Sequence, residues 1–175
     1  TRNEQLLNIA SEAMAAATDR LDLVVLGGGP GGYVAGIRAG QLGLKAAVVE
    51  ADRLGGICLN WGCIPTKALL KNAEVLSYVQ EAATWGLQIG EYSLDFPKVV
   101  KRSRDVSDRL SKGVAALLKK YGCAHVAGRG RIVRAPGGDG FLVEVEGADG
   151  QSRSLATQRV VVATGARPRQ IPGLP

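Results

Sequence analysis

The sequence has few aromatic residues, one histidine and three cysteines, and each shortage narrows what the protein can be. Aromatic side chains make up 5% of 175 residues, too few to interleave with basic residues as single-stranded nucleic-acid binding requires. Three cysteines do not make the disulfide framework of a small secreted protein. No apolar run reaches the roughly eighteen residues of a membrane-spanning helix. We therefore expect a globular protein that binds neither nucleic acid nor a membrane.

Glycine and basic side chains are the abundant residues. Glycine occurs 24 times, which favours turns where the backbone comes close to a ligand. The net charge is +6, and much of the excess lies in residues 98–120, where a solvated helix face is favoured over a surface that docks an acidic partner. Residues 1–20 are predicted to form a leading helix or linker, whose acidic residues argue against a mitochondrial transit peptide. With no targeting signal seen, we expect a bacterial-type cytoplasmic protein.

Strand and helix patterns alternate in the first third of the chain. Residues 21–26 (LDLVVL) have the apolar run of a buried strand, residues 33–43 are predicted to be helical, and residues 45–50 (KAAVVE) form a second strand. This order is the βαβ opening of a doubly wound domain. The helix residues expected to face the sheet are Val34, Ile37 and Leu42.

Two longer helices and a group of short strands are predicted further along the chain. The helices cover residues 64–82 and 96–122. The apolar seam expected on the second helix consists of Val99, Val106, Leu110, Val114, Leu117 and Tyr121. Short strands, separated by turns such as PGGDG, are predicted at residues 124–128, 130–135, 141–147 and 151–157. They precede a last buried strand at 159–165, so the predicted fold is α/β: a doubly wound, Rossmann-like domain with an inserted antiparallel β-meander.

A glycine-rich turn links the first predicted strand to the first predicted helix. Gly27, Gly29 and Gly32 fit the G-x-G-x-x-G pattern of dinucleotide-binding sites. The first glycine permits a tight turn, the second lets the backbone approach a pyrophosphate, and the third allows close packing of helix on strand. Glu50 ends the second strand, where a carboxylate accepts hydrogen bonds from ribose hydroxyls and disfavours NADP. The alternative is a structural turn beside a surface glutamate, and the pattern alone does not distinguish NAD from FAD.

Two cysteines, Cys58 and Cys63, lie in the segment GGICLNWGCIPTKALL. Positions five apart in a regular helix rise about 7.5 Å and face different sides, whereas a disulfide needs Cα atoms within about 7 Å. An irregular turn is therefore expected over residues 59–62, with Cys63 at or just before the start of the helix that Pro65 opens. A helix N-terminus, together with Lys67 on the same helix face, lowers the pKa of a thiol at Cys63.

The cysteine pair has four interpretations. It is a redox-active pair in which Cys63 passes electrons inward and Cys58 exchanges with an outside thiol, or a structural disulfide, or two inert core thiols, or half of a zinc site. The chain offers only Cys123 and His125 as further zinc ligands, and their close spacing in a strand-like segment is unusual for such a site. We favour the redox interpretation, and we expect Cys123 to be a buried thiol.

The segment GGICLNWGCIPTKALL also closely resembles the active-site segment of the dihydrolipoyl dehydrogenases, a group of pyridine nucleotide-disulfide oxidoreductases. The resemblance covers residues 21–175. Glutathione and mercuric reductases typically have C-V-N-V-G-C-V-P at this place, and Leu59, Ile64 and residues 68–70 favour the lipoamide-oxidising group. The resemblance implies a flavin disulfide reductase that oxidises protein-bound dihydrolipoamide with NAD⁺ as the final acceptor.

The same resemblance implies FAD at the glycine turn and assigns roles to single residues. Cys63 would be the charge-transfer thiolate against the flavin, Cys58 the interchange thiol, and Lys67 would approach the reactive edge of the flavin. The backbone near Gly130 would meet the adenine. The implied cofactor-binding residues are Gly27, Gly29, Pro30, Gly31, Gly32, Glu50, Ala51, Gly56, Cys58, Cys63, Lys67, Gly130, Ala163, Thr164 and Gly165, and no metal is implied.

Domain organisation and partners also follow from the resemblance. Residues 21–165 are expected to form the FAD-binding domain, and residues 166–175 the start of a linker to an NAD-binding domain outside this sequence. NAD⁺ is a cosubstrate of that domain, so the chain as given is expected to be inactive alone. The implied partners are the lipoyl domain and the peripheral-subunit-binding domain of a 2-oxo acid dehydrogenase complex, with a homodimer for the full-length chain. Two other functions stay open: a non-catalytic FAD-binding module and another flavin disulfide reductase.

Overall fold

A six-stranded sheet forms the centre of the structure, a computed structural model that describes residues 20–134, 140–166, 169, 171 and 173. The strands are β1 (Leu21–Leu26), β2 (Ala46–Glu50), β3 (Ala124–Ala127), β4 (Arg129–Arg134), β5 (Phe141–Glu146) and β6 (Ser152–Val162). The helices are α1 (Pro30–Gln41), α2 (Gly56–Asn60), α3 (Cys63–Gln80), a 3-10 turn at Ala82–Trp85, and α4 (Phe96–Lys120). The predicted leading helix lies outside the described residues except for Arg20, as do most of the PGGDG turn and of the predicted linker.

The strand order is β3-β2-β1-β6-β5-β4. β3, β2, β1 and β6 are parallel, whereas β5 and β4 continue the sheet as an antiparallel extension. The predicted strands at 151–157 and 159–165 are in fact one strand, β6, because its first half pairs with β5 and its second half with β1. Thr157 is in register with both neighbours, Phe141 and Leu21. The α/β class and the inserted meander are confirmed, and β6 is the strand that joins the two parts.

Apolar side chains cover both faces of the parallel strands. On one face, Val25 and Val48 pack in a cluster with Leu118 of α4. On the other face, Val24 and Val49 cluster with valines of β5. β4 also reaches this second face, since a Cβ atom added at Gly130 would lie 2.5 Å from the side chain of Leu26. The meander therefore covers the face of the parallel strands opposite the helices.

The fully buried residues of α1 are small, and the sequence-based expectation was only partly right: Ile37 packs against the core as predicted, whereas Val34 and Leu42 do not. Val34 and Leu42 are 55% and 60% exposed, whereas the buried residues are Gly32, Gly36 and Ala39. A Cβ atom at Gly36 would lie 2.5 Å from a methyl group of Val48. At Gly36 the helix lies too close to the sheet for a larger side chain, so the apolar periodicity was right about Ile37 but wrong about Val34 and Leu42.

The buried face of α4 agrees with the predicted seam at Val114 and differs from it elsewhere. Leu110 and Leu117 are exposed, and the buried residues are Ser103, Ser107, Val114 and Leu118. Both serine hydroxyls donate within the helix, from Ser103 Oγ to the carbonyl of Val100 (2.7 Å) and from Ser107 Oγ to the carbonyl of Ser103 (3.2 Å). Buried hydroxyls with such partners cost little, so an apolar pattern cannot find this face.

Gly113, inside α4, offers a stability prediction. A Cβ atom there would meet nothing within 4 Å, and glycine costs about 0.5–1 kcal/mol relative to alanine in a helix interior. We expect Gly113→Ala to raise the free energy of unfolding by about that amount. Urea unfolding followed by circular dichroism measures it, and a lower midpoint in the variant would contradict the helix assignment.

Among the described residues, no helix is long and apolar enough to cross a membrane.

Candidate functional site

The turn between β1 and α1 brings three backbone segments together. Gly27 has a φ of +99°, and a Cβ atom there would lie 2.2 Å from the carbonyl oxygen of Ala163. A Cβ atom at Gly32 would lie 1.7 Å from the carbonyl oxygen of Gly27. A Cβ atom added at Gly29 would meet only the Cα of Gly56, at a distance of 3.8 Å. The first and third glycines of the pattern are thus required by packing, while the second leaves its side of the turn open.

The N-terminus of α1 is left uncapped by side chains. Gly29 is the N-cap, no side chain accepts a hydrogen bond from the first turn, and Pro30 occupies the first helical position. Tyr33 N–H donates to the carbonyl of Gly29 (2.9 Å). The N–H groups of Gly31 and Gly32 precede that bond and have no partner inside the helix. Free N–H groups and the helix dipole make this end of α1 suited to a phosphate.

Glu50 is held beside the same turn. Its Oε2 accepts a hydrogen bond from Gly28 N–H (2.6 Å), and its Oε1 accepts one from Asp52 N–H (2.8 Å). Each oxygen keeps a further lone pair, so the carboxylate is oriented and can still accept from a hydroxyl group. A fixed acceptor at the end of the second strand is the arrangement that binds ribose in dinucleotide sites.

The two cysteines lie on consecutive helices. Cys58 is in α2, and Cys63 is the first residue of α3, with Gly62 as its N-cap. The predicted irregular turn at 59–62 is shorter than expected, because α2 continues to Asn60 and only two residues separate the helices. The position of Cys63 at the start of a helix is confirmed. Both cysteines are free thiols in this structure.

A hydrogen bond between the two sulfurs sets their pKa values. This bond is the main cause that lowers the pKa of Cys63, and the Cys63 backbone N–H and the Lys67 ammonium lower that pKa further. The same bond is the main cause that raises the pKa of Cys58, because ionising its thiol would remove the donated proton. The sequence indicated the helix terminus and Lys67 as causes but not the partner thiol. Cys63 is the sulfur that carries negative charge first.

The relative exposure of the two sulfurs differs from the expectation. Cys63 is exposed and Cys58 is half-buried, although the sequence suggested that Cys58 is freer to meet an outside thiol. The reason is the helical conformation of Cys58, which packs it in α2 rather than in an open turn.

One cleft of about 690 Å³ joins the glycine turn, the cysteines and the end of β6. The predicted site residues that line it are Gly27, Gly29, Pro30, Gly31, Glu50, Gly56, Cys58, Cys63, Ala163, Thr164 and Gly165. A smaller pocket of about 250 Å³ shares Gly27, Glu50 and Thr164 with it, and contains Ala51 and Gly130. The volume of the cleft is in the range of ligand-binding sites.

Some predicted residues lie beside the cleft, and some lining residues were missed. Gly32 is buried beneath the turn, and Lys67 is exposed on α3 without lining the cleft. The residues that the sequence analysis missed are Asp52, Arg53, Ile57, Trp61, Gly62 and Ala166. The sequence did carry a signal for Trp61, because this residue stands between the two cysteines. In the structure its side chain is 51% exposed.

The third cysteine and the histidine are separate from this cleft. Cys123 is buried in the core, as expected, and burial raises its pKa to about 11. His125 lies in β3 and is exposed, and partial desolvation lowers its pKa. Within the described part of the chain, no group of three or more metal-ligating side chains comes together.

The hydrogen bond between the sulfurs gives a testable pH dependence. In Cys58→Ala the donor is lost, so the pKa of Cys63 should rise and its thiolate should appear at higher pH. Cys58→Ser keeps a hydroxyl donor and should retain part of the original shift. Alkylation of Cys63 by iodoacetamide over a pH series, followed by tandem mass spectrometry, measures this because the thiolate is the reactive form. A Cys58→Ala profile that coincides with that of the unaltered protein would contradict the assignment.

The fold and the site define a class of protein. It is a Rossmann-like domain in which a glycine-rich turn suited to binding phosphate and a redox-capable pair of thiols line the same cleft. A comparison with known families agrees with this class. The sequence matches the family described as pyridine nucleotide-disulphide oxidoreductase over residues 21–175. The chain belongs to this family, and the resemblance stated from the sequence is confirmed.

Individual relatives carry a more specific name. A dihydrolipoyl dehydrogenase from Zymomonas mobilis is 49% identical over 156 residues, which are 89% of this chain and 32% of that protein. A dihydrolipoyl dehydrogenase from Bacillus subtilis is 48% identical over 160 residues, 87% of this chain and 33% of that protein. The crystal structure of LpdA from Mycobacterium tuberculosis has a TM-score of 0.77 at 27% identity, covering 87% of this chain and 33% of that one. The chain thus spans about a third of the length of the curated relatives that it matches.

Proposed function

We propose that this chain is the FAD-binding part of a dihydrolipoyl dehydrogenase and that its cleft holds the flavin cofactor against the cysteine pair. The observation that carries the proposal is the single cleft lined by Gly29, Glu50, Cys58 and Cys63. A dinucleotide site alone would suit many oxidoreductases, and a dithiol alone would suit many redox proteins. Their union in one cleft favours a flavin that exchanges electrons with a disulfide.

The residues present fit the cofactor. A Cβ atom at Gly29 would meet only the Cα of Gly56, at 3.8 Å, and would take up room beside the N–H groups of α1 that glycine leaves free. In the proposed complex these N–H groups bind the pyrophosphate and Glu50 binds the ribose of the adenosine. Ala51 and Gly130, in the adjoining pocket, would lie on the adenine side. Lys67 lowers the pKa values of both cysteines through its charge and would add positive charge near the flavin.

The chemistry proposed for the cysteines is thiol–disulfide exchange. In the oxidised protein, a thiolate of dihydrolipoamide attacks the sulfur of Cys58, forms a mixed disulfide with it, and releases Cys63 as a thiolate. The second substrate thiol, on losing its proton, displaces Cys58, so that lipoamide leaves as a disulfide and both cysteines are reduced. When bound, FAD would accept the two electrons of this dithiol and pass them to NAD⁺. The lowered pKa of Cys63 makes it the better leaving group, since a low-pKa thiolate leaves faster.

The partners proposed for the whole protein follow from the same assignment. The substrate is a lipoyl group carried by a lipoyl domain of a 2-oxo acid dehydrogenase complex. A peripheral-subunit-binding domain of that complex and a second copy of the full-length chain are the proposed binding partners. The relatives' names support this proposal because they specify dihydrolipoyl substrates.

Cofactor binding is the decisive test. The purified chain is titrated with FAD, and bound flavin is measured by absorption and by quenching of tryptophan fluorescence, for which Trp61 lines the cleft. We expect stoichiometric binding and, after reduction with dithiothreitol, a long-wavelength band that Cys63→Ala lacks. Gly113→Ala is the control. A Cβ atom there would meet nothing within 4 Å, so this variant should bind FAD normally. Failure to bind FAD in a chain with a native circular dichroism spectrum would refute the proposal. Binding without the band would support a non-catalytic FAD-binding module instead.

A further inference from the structure

Three side chains on one face of α4 reach the segment that carries Cys58. Arg104 Nη1 donates to the carbonyl oxygen of Asn60 (3.1 Å), and Ser111 Oγ donates to the carbonyl oxygen of Leu54 (2.8 Å). Asp108, between them on the helix, forms an ion pair with Arg53. Positions four and seven residues apart share a helix face. We call Arg104, Asp108 and Ser111 the α4 clamp.

The segment that the α4 clamp contacts, residues 53–60, is also stabilised by hydrogen bonds within itself. The side-chain amide of Asn60 donates to the carbonyls of Leu54 (3.1 Å) and Gly56 (3.0 Å). Asn60 is 1% exposed, so its side chain is fixed from within. Leu54 therefore accepts from both Asn60 and Ser111, and α2 is held at its two ends by a common set of bonds.

The carbonyl of Asn60 lies at a sensitive place. Asn60 is the last residue of α2, and only Trp61 and Gly62 separate Asn60 from Cys63. The N–H groups of Trp61 and Gly62 both donate to the carbonyl of Ile57, at 2.9 and 2.7 Å. The carbonyls at a helix end lack partners within the helix, so an external donor at Asn60 fixes how the chain leaves α2. That exit direction decides where Cys63 stands relative to Cys58.

We propose that Arg104 is a positioning residue for the cysteine pair: by holding the Asn60 carbonyl it keeps the two sulfurs at the distance needed for hydrogen bonding and for disulfide closure. The inference rests on the proposed redox role of Cys58 and Cys63. The hydrogen bonds of Arg104 go to the Asn60 carbonyl and to Ser103 Oγ rather than to either sulfur, so Arg104 acts through the backbone. Its hydrogen bond is charge-assisted, the stronger kind.

Two measurable properties depend on this positioning. If the sulfurs drift apart, the hydrogen bond that lowers the pKa of Cys63 weakens, and this pKa rises. Closing the disulfide also becomes harder, because the free dithiol must first be ordered. The equilibrium is protein dithiol plus oxidised glutathione giving protein disulfide plus two reduced glutathione molecules. Two electrons and two protons pass to glutathione, so the reaction needs no flavin.

Arg102 provides a matched control on the same helix. Its Nη1 donates to the carbonyl of Ala68 (3.2 Å), inside α3 and away from the turn between the cysteines. Arg102→Met therefore removes an arginine, its charge and one inter-helix hydrogen bond without touching the exit of α2. Any effect that Arg104→Met shows beyond that of Arg102→Met belongs to the contacts of Arg104 itself, which are the Asn60 carbonyl (3.1 Å) and Ser103 Oγ (3.3 Å).

The experiment compares glutathione equilibria and Cys63 alkylation profiles of the unaltered chain and its variants. For Arg104→Met we expect an equilibrium shifted about tenfold toward the dithiol, which is within reach of one charge-assisted hydrogen bond, and a raised pKa of Cys63. Arg104→Lys, which keeps a cationic donor, should recover part of both effects, and Arg102→Met should resemble the unaltered chain. If Arg104→Met fails to fold, Ser111→Ala is measured instead and should shift the equilibrium in the same direction by a smaller factor.

Equal behaviour of Arg104→Met and the unaltered chain, or an equal shift in Arg102→Met, would overturn the inference. A separate outcome would sink the proposed function: no disulfide between Cys58 and Cys63 at any glutathione ratio in the unaltered chain. The two failures are distinguishable, because the first compares variants that all form the disulfide. FAD is absent from the assay, so loss of cofactor binding cannot imitate either result.

Discussion

Gly32→Ala is expected to lower the free energy of unfolding by about 3 kcal/mol, near the upper end of what overpacking costs. The added Cβ atom would lie 1.7 Å from the carbonyl oxygen of Gly27 and 3.4 Å from a methyl group of Val25. The first obstacle is backbone, which cannot rotate away as a side chain can. Relief requires that α1 move from the sheet or that the turn open. Urea unfolding of the chain without cofactor measures the loss.

The matched variant Gly31→Ala lies in the same helical turn. Its Cβ atom would meet only the Cβ of Ala163, at 3.8 Å, an ordinary contact. Alanine is the better helix former, so we expect equal or slightly higher stability. Similar unfolding midpoints for both variants would show that Gly32 is not required by packing.

The fold was predictable from sequence to the extent that the glycine pattern and the strand periods determine it. LDLVVL, GGGPGG and KAAVVE predicted β1, α1 and β2 because each signal is local. The helix faces were not predictable in the same way. Gly36 and Ser103 are buried because another element comes close, which is a tertiary fact that no residue pattern announces. The single strand β6 likewise depends on its two neighbours.

The candidate site shows the same division. The glycines, Glu50 and the cysteine pair could be named from the sequence, because each lies in a short local pattern whose strand and helix context favours one interpretation over its alternatives. Arg104 could not, because its partner, the carbonyl of Asn60, is a backbone atom distant in the chain. Lys101, Arg102 and Arg109 lie in the same segment, so Arg104 is one of several basic residues that the sequence assigns to a solvated helix face. Contacts from side chain to distant backbone are set by packing and leave no sequence signature.

Cys63→Ser is expected to abolish electron transfer from dihydrolipoamide to FAD held in the cleft, a loss of about a thousandfold or more. Serine can form no disulfide, so the exchange that releases Cys63 has no leaving group. Cys58→Ser should abolish the transfer as well, because it removes the sulfur that the substrate attacks. Anaerobic mixing of the FAD-loaded chain with excess dihydrolipoamide, followed at the flavin absorbance, measures the rate. Cys123→Ala is the control, because that thiol is buried in the core and its pKa is raised to about 11.

The two inactive variants should nevertheless differ in their flavin absorption spectra. This difference tests which of the two cysteines lies against the flavin, not only whether a sulfur is present. Cys58→Ser keeps the Cys63 thiolate at the start of α3 and should show the long-wavelength band without any reductant. Cys63→Ser keeps only Cys58, which the proposal places on the substrate side rather than against the flavin. It should show no band, even though losing the Cys63 thiol removes the main cause that raises the pKa of Cys58. A band in Cys63→Ser and none in Cys58→Ser would reverse the assignment, making Cys58 the flavin-side sulfur. The exposure of Cys63 would then have the opposite meaning, as the point where the substrate thiol enters.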